Sequence, residues 1–338
     1  MTEIFGINIA YFLMVFGAIL LIKGGDWFVD AAVGVAKRFK LPEILIGATV
    51  VSIGTTLPEV MTSASSAING NAGIAYGNAI GSIICNTALI AAITIAIKPA
   101  KADKKALIFP VCFFFGSMAF YSVCAYFFGG FPRWAGFVLL GAFVVYMIIN
   151  VLNAKNNPEE LPEIEEEQEE ESEDVNSNVT FLKNIGILIV SAAVIAVGAE
   201  VLGQSANYVA EVELGIPSEI LGVTVVALAT SLPELVTAIT SLIKGHGALS
   251  LGNIIGANIF NIILVSGASV SIAPFDIPTG SKLFGYDASL VFDIPLVFLV
   301  MGIMTIPTIF KGKLQRWQGI SLLALYVLYA VVRVCFAK

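Results

Sequence analysis

Two stretches of this sequence are copies of one another. Residues 47–90 read GATVVSIGTTLPEVMTSASSAINGNAGIAYGNAIGSIICNTALI, and residues 222–265 read GVTVVALATSLPELVTAITSLIKGHGALSLGNIIGANIFNIILV. They align without a gap at an offset of 175 residues, with 19 identities in 44 positions. The shared positions include prolines, asparagines and the carboxylates Glu59 and Glu234, which a common preference for apolar residues would not bring into register. The chain therefore contains an internal duplication.

The composition around these copies is that of a membrane protein. Of 338 residues, 57% are apolar and only 13% are charged, whereas soluble domains carry about 25% charged residues. A helix that crosses the bilayer needs about 20 mostly apolar residues. We predict ten such spans, at 6–34, 42–68, 71–97, 106–128, 133–153, 181–210, 217–243, 247–273, 287–308 and 316–336. The predicted fold class is an all-α polytopic membrane protein with ten transmembrane helices, arranged as two inverted five-helix repeats.

The predicted helices divide into two halves around a charged segment. Residues 1–153 carry the first five helices, residues 154–180 form an acidic linker, and residues 181–338 carry the last five. Because five is odd, the second half enters the membrane from the side opposite to the first. Lys and Arg concentrate in the loops after the odd-numbered helices, which the positive-inside rule places in the cytoplasm. Both termini are then outside, the linker is cytoplasmic, and the expected location is the plasma (inner) membrane.

The linker accounts for the acidic balance of the chain. Eleven of the 25 acidic residues lie between Glu159 and Asp174, and the rest of the chain has 14 acids against 17 Lys and Arg once Lys155 is set aside. Such a run of like charge is expected to be a disordered cytoplasmic spacer, with a weak role in cation sensing as the alternative. No basic patch supports nucleic-acid binding, and no obligate protein partner is evident.

The inventory of metal-binding and catalytic side chains is small. The single His excludes most His-based metal sites and makes a Ser-His-Asp triad improbable. The four Cys lie in apolar stretches at irregular spacing, which matches neither a disulfide framework nor a zinc site, so we expect them to be packing residues. No enzyme activity and no resident cofactor are predicted.

Glu59 and Glu234 lie deep inside apolar segments. A carboxylate there costs several kcal/mol unless it is paired or faces water, and the two copies contain no Lys or Arg except Lys244 at the end of helix 7. One such Glu would be consistent with a protonated, hydrogen-bonded side chain. Two at matching positions favour a mobile cation as the shared partner.

The residues before each Glu offer further oxygen atoms. Pro58 has no N–H, so the carbonyl of Gly54 loses its helical donor, and Pro233 does the same to Ala229. A helix broken at this point would expose both carbonyls, although a Pro can also make a simple kink. The neighbouring hydroxyls belong to Thr55, Thr56, Thr230 and Ser231.

Helices 3 and 8 are predicted to supply the other walls of the site. Polar residues recur every four positions on one face of each helix. They are Asn78, Ser82 and Asn86 in helix 3, and Asn253 and Asn261, with Ala257 between them, in helix 8. We expect the asparagines to be ligands or supports for the carboxylates.

Carboxylates, hydroxyls, amides and freed carbonyls are oxygen ligands, which suit hard cations. Ca²⁺ takes six to eight of them. Two carboxylates neutralise one Ca²⁺, and they could equally bind two Na⁺ or take up protons. An antiporter requires at least that these bound states exclude one another. A passive cation channel is the alternative function.

The paired motifs GTTLPE…GNAIGSIICN and ATSLPE…GNIIGANIFN resemble the two repeats of the Ca²⁺/cation antiporter superfamily, particularly prokaryotic sodium/calcium exchangers. The resemblance covers nearly the whole chain, and it implies alternating-access exchange of Ca²⁺ for Na⁺, with H⁺/Ca²⁺ exchange as the close alternative. It also implies that Glu59 and Glu234 are the principal Ca²⁺ ligands. The flanking Na⁺ or supporting positions would be Thr55, Thr56, Thr230, Ser231, Ser82, Asn86 and Asn261.

The chain departs from the family pattern at three positions. Members commonly have Ser where this chain has Ala257, and Asn where it has Ile83. Some members carry Asp where Asn261 stands. These changes leave the Glu pair untouched and bear on Na⁺ binding.

Overall fold

The computed structural model describes residues 3–4, 7–39, 41–99, 102–156, 178–209, 230–278, 282–283 and 285–335, which are mainly helical. The helices are α1 Ile9–Phe39, α2 Glu43–Ile68, α3 Ala72–Ile97, α4 Lys104–Phe128, α5 Arg133–Asn156, α6 Asn178–Tyr208, α7 Leu232–Ile243, α8 Gly247–Ile272, α9 Ser289–Lys311 and α10 Arg316–Cys335. Three antiparallel pairs of two-residue strands join helix ends: β1 Glu3–Ile4 with β2 Ile7–Asn8, β3 Gly130–Phe131 with β4 Phe275–Asp276, and β5 Lys282–Leu283 with β6 Tyr286–Asp287.

Eight of the described helices are long and apolar enough to cross a bilayer. They are α1 to α6, α8 and α9, so the fold is that of a helical membrane protein. The described part of α7 has only 12 residues, and α10 has 20 but is not among the eight. The total of ten spans stays a prediction.

The boundaries of the predicted linker were too wide. Helix α5 continues to Asn156 and α6 begins at Asn178, so both ends of the predicted segment 154–180 are helical. The acidic run itself lies outside the described residues. So does 210–229, which includes Ala229 and the first half of the predicted seventh span.

The two prolines have different local structures. Pro58 lies inside a continuous α-helical segment, Ser52–Ile68, so the predicted break at Gly54–Pro58 is wrong for α2. The irregularity of α2 lies closer to its N-terminus, in the π-helical segment Gly47–Val51. In the second copy, by contrast, Ser231 forms a turn with φ −87° and ψ 4°, and α7 begins after it with Pro233 in its first turn.

Helices α3 and α8 share an irregularity that the sequence did not indicate. Each changes from α-helical to π-helical at its last asparagine, over Asn86–Ala91 and Asn261–Val265. Asn86 and Asn261 are equivalent under the offset of 175. Such π turns are rare and are often found at functional sites.

Helix α8 lies at the centre of the molecule, where every residue from Leu249 to Ile263 is buried. It crosses α2 at backbone distance, because a Cβ atom on Gly252 would lie 2.2 Å from the carbonyl oxygen of Ile44. Only glycine permits this approach. Helices α1 and α6 pack along each other in the same way, and a Cβ on Gly17 would lie 2.9 Å from the carbonyl oxygen of Gly198.

Candidate cation-binding site

The two carboxylates of the duplicated motif meet in the interior of the protein. Glu59 on α2 and Glu234 in the first turn of α7 are both 0% exposed. The two carboxylates are close enough for the charge of Glu234 to act on Glu59. Two buried carboxylates that face one another strongly favour a shared positive partner.

The hydroxyls that precede the first carboxylate lie against the second. Thr55 and Thr56 come one turn before Glu59 on α2, and their side chains face the carboxylate of Glu234. Glu234 nevertheless accepts no hydrogen bond of standard geometry. The site is therefore assembled across the two halves, with hydroxyls of one half directed at the carboxylate of the other.

Two asparagines hold this arrangement in place by an exchange of hydrogen bonds between the halves. Thr55 Oγ1 donates to Asn253 Oδ1 at 3.3 Å, and Thr230 Oγ1 donates to Asn78 Oδ1 at 3.2 Å. The two bonds join equivalent residues, because Thr55 and Asn78 correspond to Thr230 and Asn253 at the offset of 175 residues. Equivalent residues of the two copies thus make equivalent contacts with each other's copy.

The amide nitrogens of the same asparagines are also bonded, within their own halves. Asn78 Nδ2 donates to Ser63 Oγ at 2.8 Å and to the backbone carbonyl of Glu59 at 3.2 Å. Asn253 Nδ2 donates to Thr237 Oγ1 at 2.9 Å. Asn78 and Asn253 are thus supports of the carboxylate-bearing helices, since their hydrogen-bonding groups are already occupied.

A second group of buried polar side chains has no hydrogen-bond partner among the described residues. Leaving such groups unpaired costs about 1–3 kcal/mol each, and native proteins contain few of them. Those of the predicted site are the two carboxylates of Glu59 and Glu234, the hydroxyls of Thr56, Ser82 and Ser231, and the side-chain amides of Asn86 and Asn261. All seven residues are 0% exposed.

The remaining predicted ligands have other surroundings. Thr55 and Thr230 are hydrogen-bonded to the asparagines, as described above. The backbone of Gly54 lies against the ring of Phe28 on α1, and its carbonyl lacks an i+4 donor because Pro58 has no N–H. Ala229 is not described.

No protein cation neutralises the Glu pair within the described part of the chain. The ion pairs there join Lys244 to Asp26 and Asp30, His246 to Glu43, and Arg333 to Asp293. Nor do three or more His, Cys, Asp or Glu side chains of the described residues converge on one point. Among the described residues the Glu pair therefore has neutral oxygen-bearing neighbours and no charged partner.

One charged pair of the membrane interior was missed by sequence reasoning. Asp293 on α9, 1% exposed, binds Arg333 on α10 with 2.5 Å between Oδ2 and a guanidinium nitrogen. Both residues fall inside predicted spans, and a charge in an apolar segment was the available signal. Tyr76 of α3 donates to the carbonyl of Ser289 beside this pair, at 3.4 Å.

Known proteins similar to this chain belong to one family. The sodium/calcium exchanger protein family matches residues 9–152 and 183–335. The chain belongs to this family. The exchanger MaX1 of Methanosarcina acetivorans is 32% identical to this exchanger, over 96% of the chain and 99% of its own length. The putative antiporter CaxA of Alkalimonas amylolytica is 30% identical, over 95% of the chain and 97% of its own.

A solved structure has the same fold. It is that of the sodium-calcium exchanger NCX_Mj, soaked with Na⁺ and Sr²⁺, which has a TM-score of 0.78 at 30% identity and covers 97% of the present exchanger and 99% of its own chain. The exchanger is therefore an integral membrane antiporter of Ca²⁺ and another cation, in a family of transporters and not of enzymes.

Proposed function

We propose that this exchanger moves Ca²⁺ against Na⁺ across the plasma membrane by alternating access, with the cations held between its two halves. The observation that carries the proposal is the set of seven fully buried polar side chains that have no partner among the described residues, centred on Glu59 and Glu234. A bound cation supplies a partner to their oxygen atoms. The two Glu side chains are the principal Ca²⁺ ligands, because their summed charge of about −2 neutralises one Ca²⁺ or two Na⁺.

The neutral members of the site favour Na⁺ over H⁺ as the counter-ion. A proton on each carboxylate would neutralise the Glu pair but would leave the hydroxyls of Thr56, Ser82 and Ser231 without partners. Na⁺ needs several oxygen ligands besides a carboxylate, and these hydroxyls and the amides of Asn86 and Asn261 can supply them. Thr55, Thr230 and the freed carbonyls of Gly54 and Ala229 complete the proposed ligand set.

We further propose that the fold is two inverted five-helix repeats, α1–α5 and α6–α10, with the acidic linker between them in the cytoplasm and both termini outside. The reciprocal bonds of Thr55 with Asn253 and Thr230 with Asn78 support the repeat, because equivalent residues make equivalent contacts across it. The concentration of Lys and Arg in alternate loops supports the orientation. Inverted repeats with a binding site between them are a common architecture of secondary transporters.

The experiment is ⁴⁵Ca²⁺ uptake into liposomes that contain the purified exchanger. Vesicles are loaded with Na⁺ or, as the matched control, with K⁺, and each is assayed with and without an imposed pH gradient. Uptake that requires internal Na⁺ supports Na⁺/Ca²⁺ exchange, and uptake driven only by the pH gradient would replace it with H⁺/Ca²⁺ exchange. Flux independent of either gradient would indicate a channel.

A further inference from the structure

A single thiol lies at the edge of the cation site. Cys85 on α3 is 2% exposed and directly precedes Asn86, where the π-helical turn begins. Its side chain faces the hydroxyls of Ser231 on α7 and Tyr326 on α10. It also lies within electrostatic range of Glu234 and, more weakly, of Glu59.

Two of the side chains around this thiol have no hydrogen-bond partner among the described residues. The Ser231 hydroxyl and both carboxylate oxygens of Glu234 are fully buried and accept or donate no hydrogen bond of standard geometry. A cation between Ser231 and Glu234 would therefore have a sulfur atom within reach in addition to oxygen ligands. The equivalent position in the second half is Phe260, whose ring packs against Phe143 and Tyr146, so the thiol of Cys85 has no counterpart at that position.

We propose that Cys85 provides a sulfur ligand at the Ser231–Glu234 side of the site, so that the exchanger binds the thiophilic divalent cation Cd²⁺ more tightly than its oxygen ligands alone would allow. The inference rests on the proposed function, because the buried site must open for an ion to enter. Thiolates select soft cations, whereas Ca²⁺ is hard and prefers oxygen. The Cd–S bond forms as the S–H proton leaves to water.

The first experiment measures inhibition of ⁴⁵Ca²⁺ uptake by Cd²⁺ in Na⁺-loaded liposomes. The inhibition constant of each variant is expressed relative to its own KM for Ca²⁺, which corrects for any change in the transport site itself. We expect Cys85→Ser and Cys85→Ala to weaken Cd²⁺ inhibition by about tenfold or more, since even indirect supports of a metal ligand are worth 10–100-fold in affinity. The matched control is Cys124→Ala, which removes a buried thiol of α4 that faces neither carboxylate. Equal relative inhibition of the wild type and both Cys85 variants would overturn the proposal.

The second experiment reads the Cd–S bond directly and does not depend on transport. Cys85 is kept as the single thiol by the substitutions C112A, C124A and C335A, and Cd²⁺ is titrated into the purified protein while the ultraviolet charge-transfer absorption of Cd–thiolate is recorded. We expect a band that excess Ca²⁺ competes away and that C85S abolishes. Absence of the band would overturn the inference even if Na⁺/Ca²⁺ exchange is intact. A band without any Ca²⁺ uptake would instead keep the thiol ligand and reject the proposed transport function.

Discussion

Each half of the site contributes a glutamate and a supporting asparagine, but the neighbouring residues on α3 and α8 differ. On α3 the wall residues are Ser82, Ile83 and Cys85, and on α8 their equivalents are Ala257, Asn258 and Phe260. The first wall therefore carries an unpaired hydroxyl and a thiol, whereas the second carries a methyl group and an aromatic ring. Asn258 donates to Thr87 at 2.7 Å, in a contact between α8 and α3 for which the first half has no polar equivalent, because Ile83 replaces the asparagine.

This difference separates what exchange requires from what adjusts it. Positions where the halves agree carry the carboxylates and the Thr–Asn bonds that cross between them. Positions where they disagree lie beside the site and change its neutral ligands. We therefore expect substitutions at the shared positions to have the larger effects.

Neutralising either carboxylate tests the equivalence of the halves most severely. We expect Glu59→Gln and Glu234→Gln each to abolish ⁴⁵Ca²⁺ uptake, because each removes half of the charge that neutralises the ion. The control is Glu200→Gln, at an exposed carboxylate of α6. Robust uptake by one of the two site variants would mean that the halves are not equivalent in binding Ca²⁺.

Both members of the buried pair, Asp293 and Arg333, belong to the second half. Asp293→Asn should lower the free energy of unfolding by about 3 kcal/mol, because Arg333 is left without its counter-charge in an apolar environment. Thermal unfolding of the purified protein in detergent measures this. Asp293→Leu combined with Arg333→Leu should recover most of the loss, and no recovery would show that the pair does more than balance charge.

The two Thr–Asn bonds are equivalent in geometry but not in what surrounds them. Ser52 Oγ lies 3.3 Å from Asn253 Oδ1 and donates at 2.7 Å to the carbonyl of Gly47, so its single proton can turn to Asn253 when Thr55 is replaced. Thr230→Val should therefore destabilise the protein by about 1 kcal/mol more than Thr55→Val. Thermal unfolding of the two variants compares them directly, and equal losses would contradict the role given to Ser52.

The difference between Ser82 and Ala257 can be removed by exchange of the residues. We expect Ala257→Ser to add a neutral oxygen ligand and tighten the apparent affinity for Na⁺ by about fivefold, which corresponds to one hydrogen-bond-sized contact of about 1 kcal/mol. Ser82→Ala should weaken it by about the same factor. The Na⁺ dependence of ⁴⁵Ca²⁺ uptake measures both effects. A change in Ca²⁺ affinity without a change in Na⁺ affinity would contradict a role of these hydroxyls in Na⁺ binding.

Much of the proposed site is visible in the sequence because its signals are local. A carboxylate in an apolar segment and a proline one residue before it can be read directly from the sequence. Because both occur at the same positions of the two copies, they indicate a shared function. Seven of the eleven predicted site residues have buried polar atoms without partners. The split between ligands and supports could not be read in this way. Asn78 and Asn86 lie on one predicted face, yet the first is fully hydrogen-bonded and the second is not.

The sequence by itself determined that this is a duplicated helical membrane protein with two buried carboxylates, because hydropathy and residue type depend on no distant contact. The tertiary structure decided that hydroxyls of one half face the carboxylate of the other, that α2 remains helical through Pro58, and that Cys85 lies beside Ser231 and near Glu234. Each of these depends on which helix packs beside which. Residues 85 and 231 are far apart in the chain, and only the packing of α3 against α7 brings a sulfur atom to the oxygen ligands.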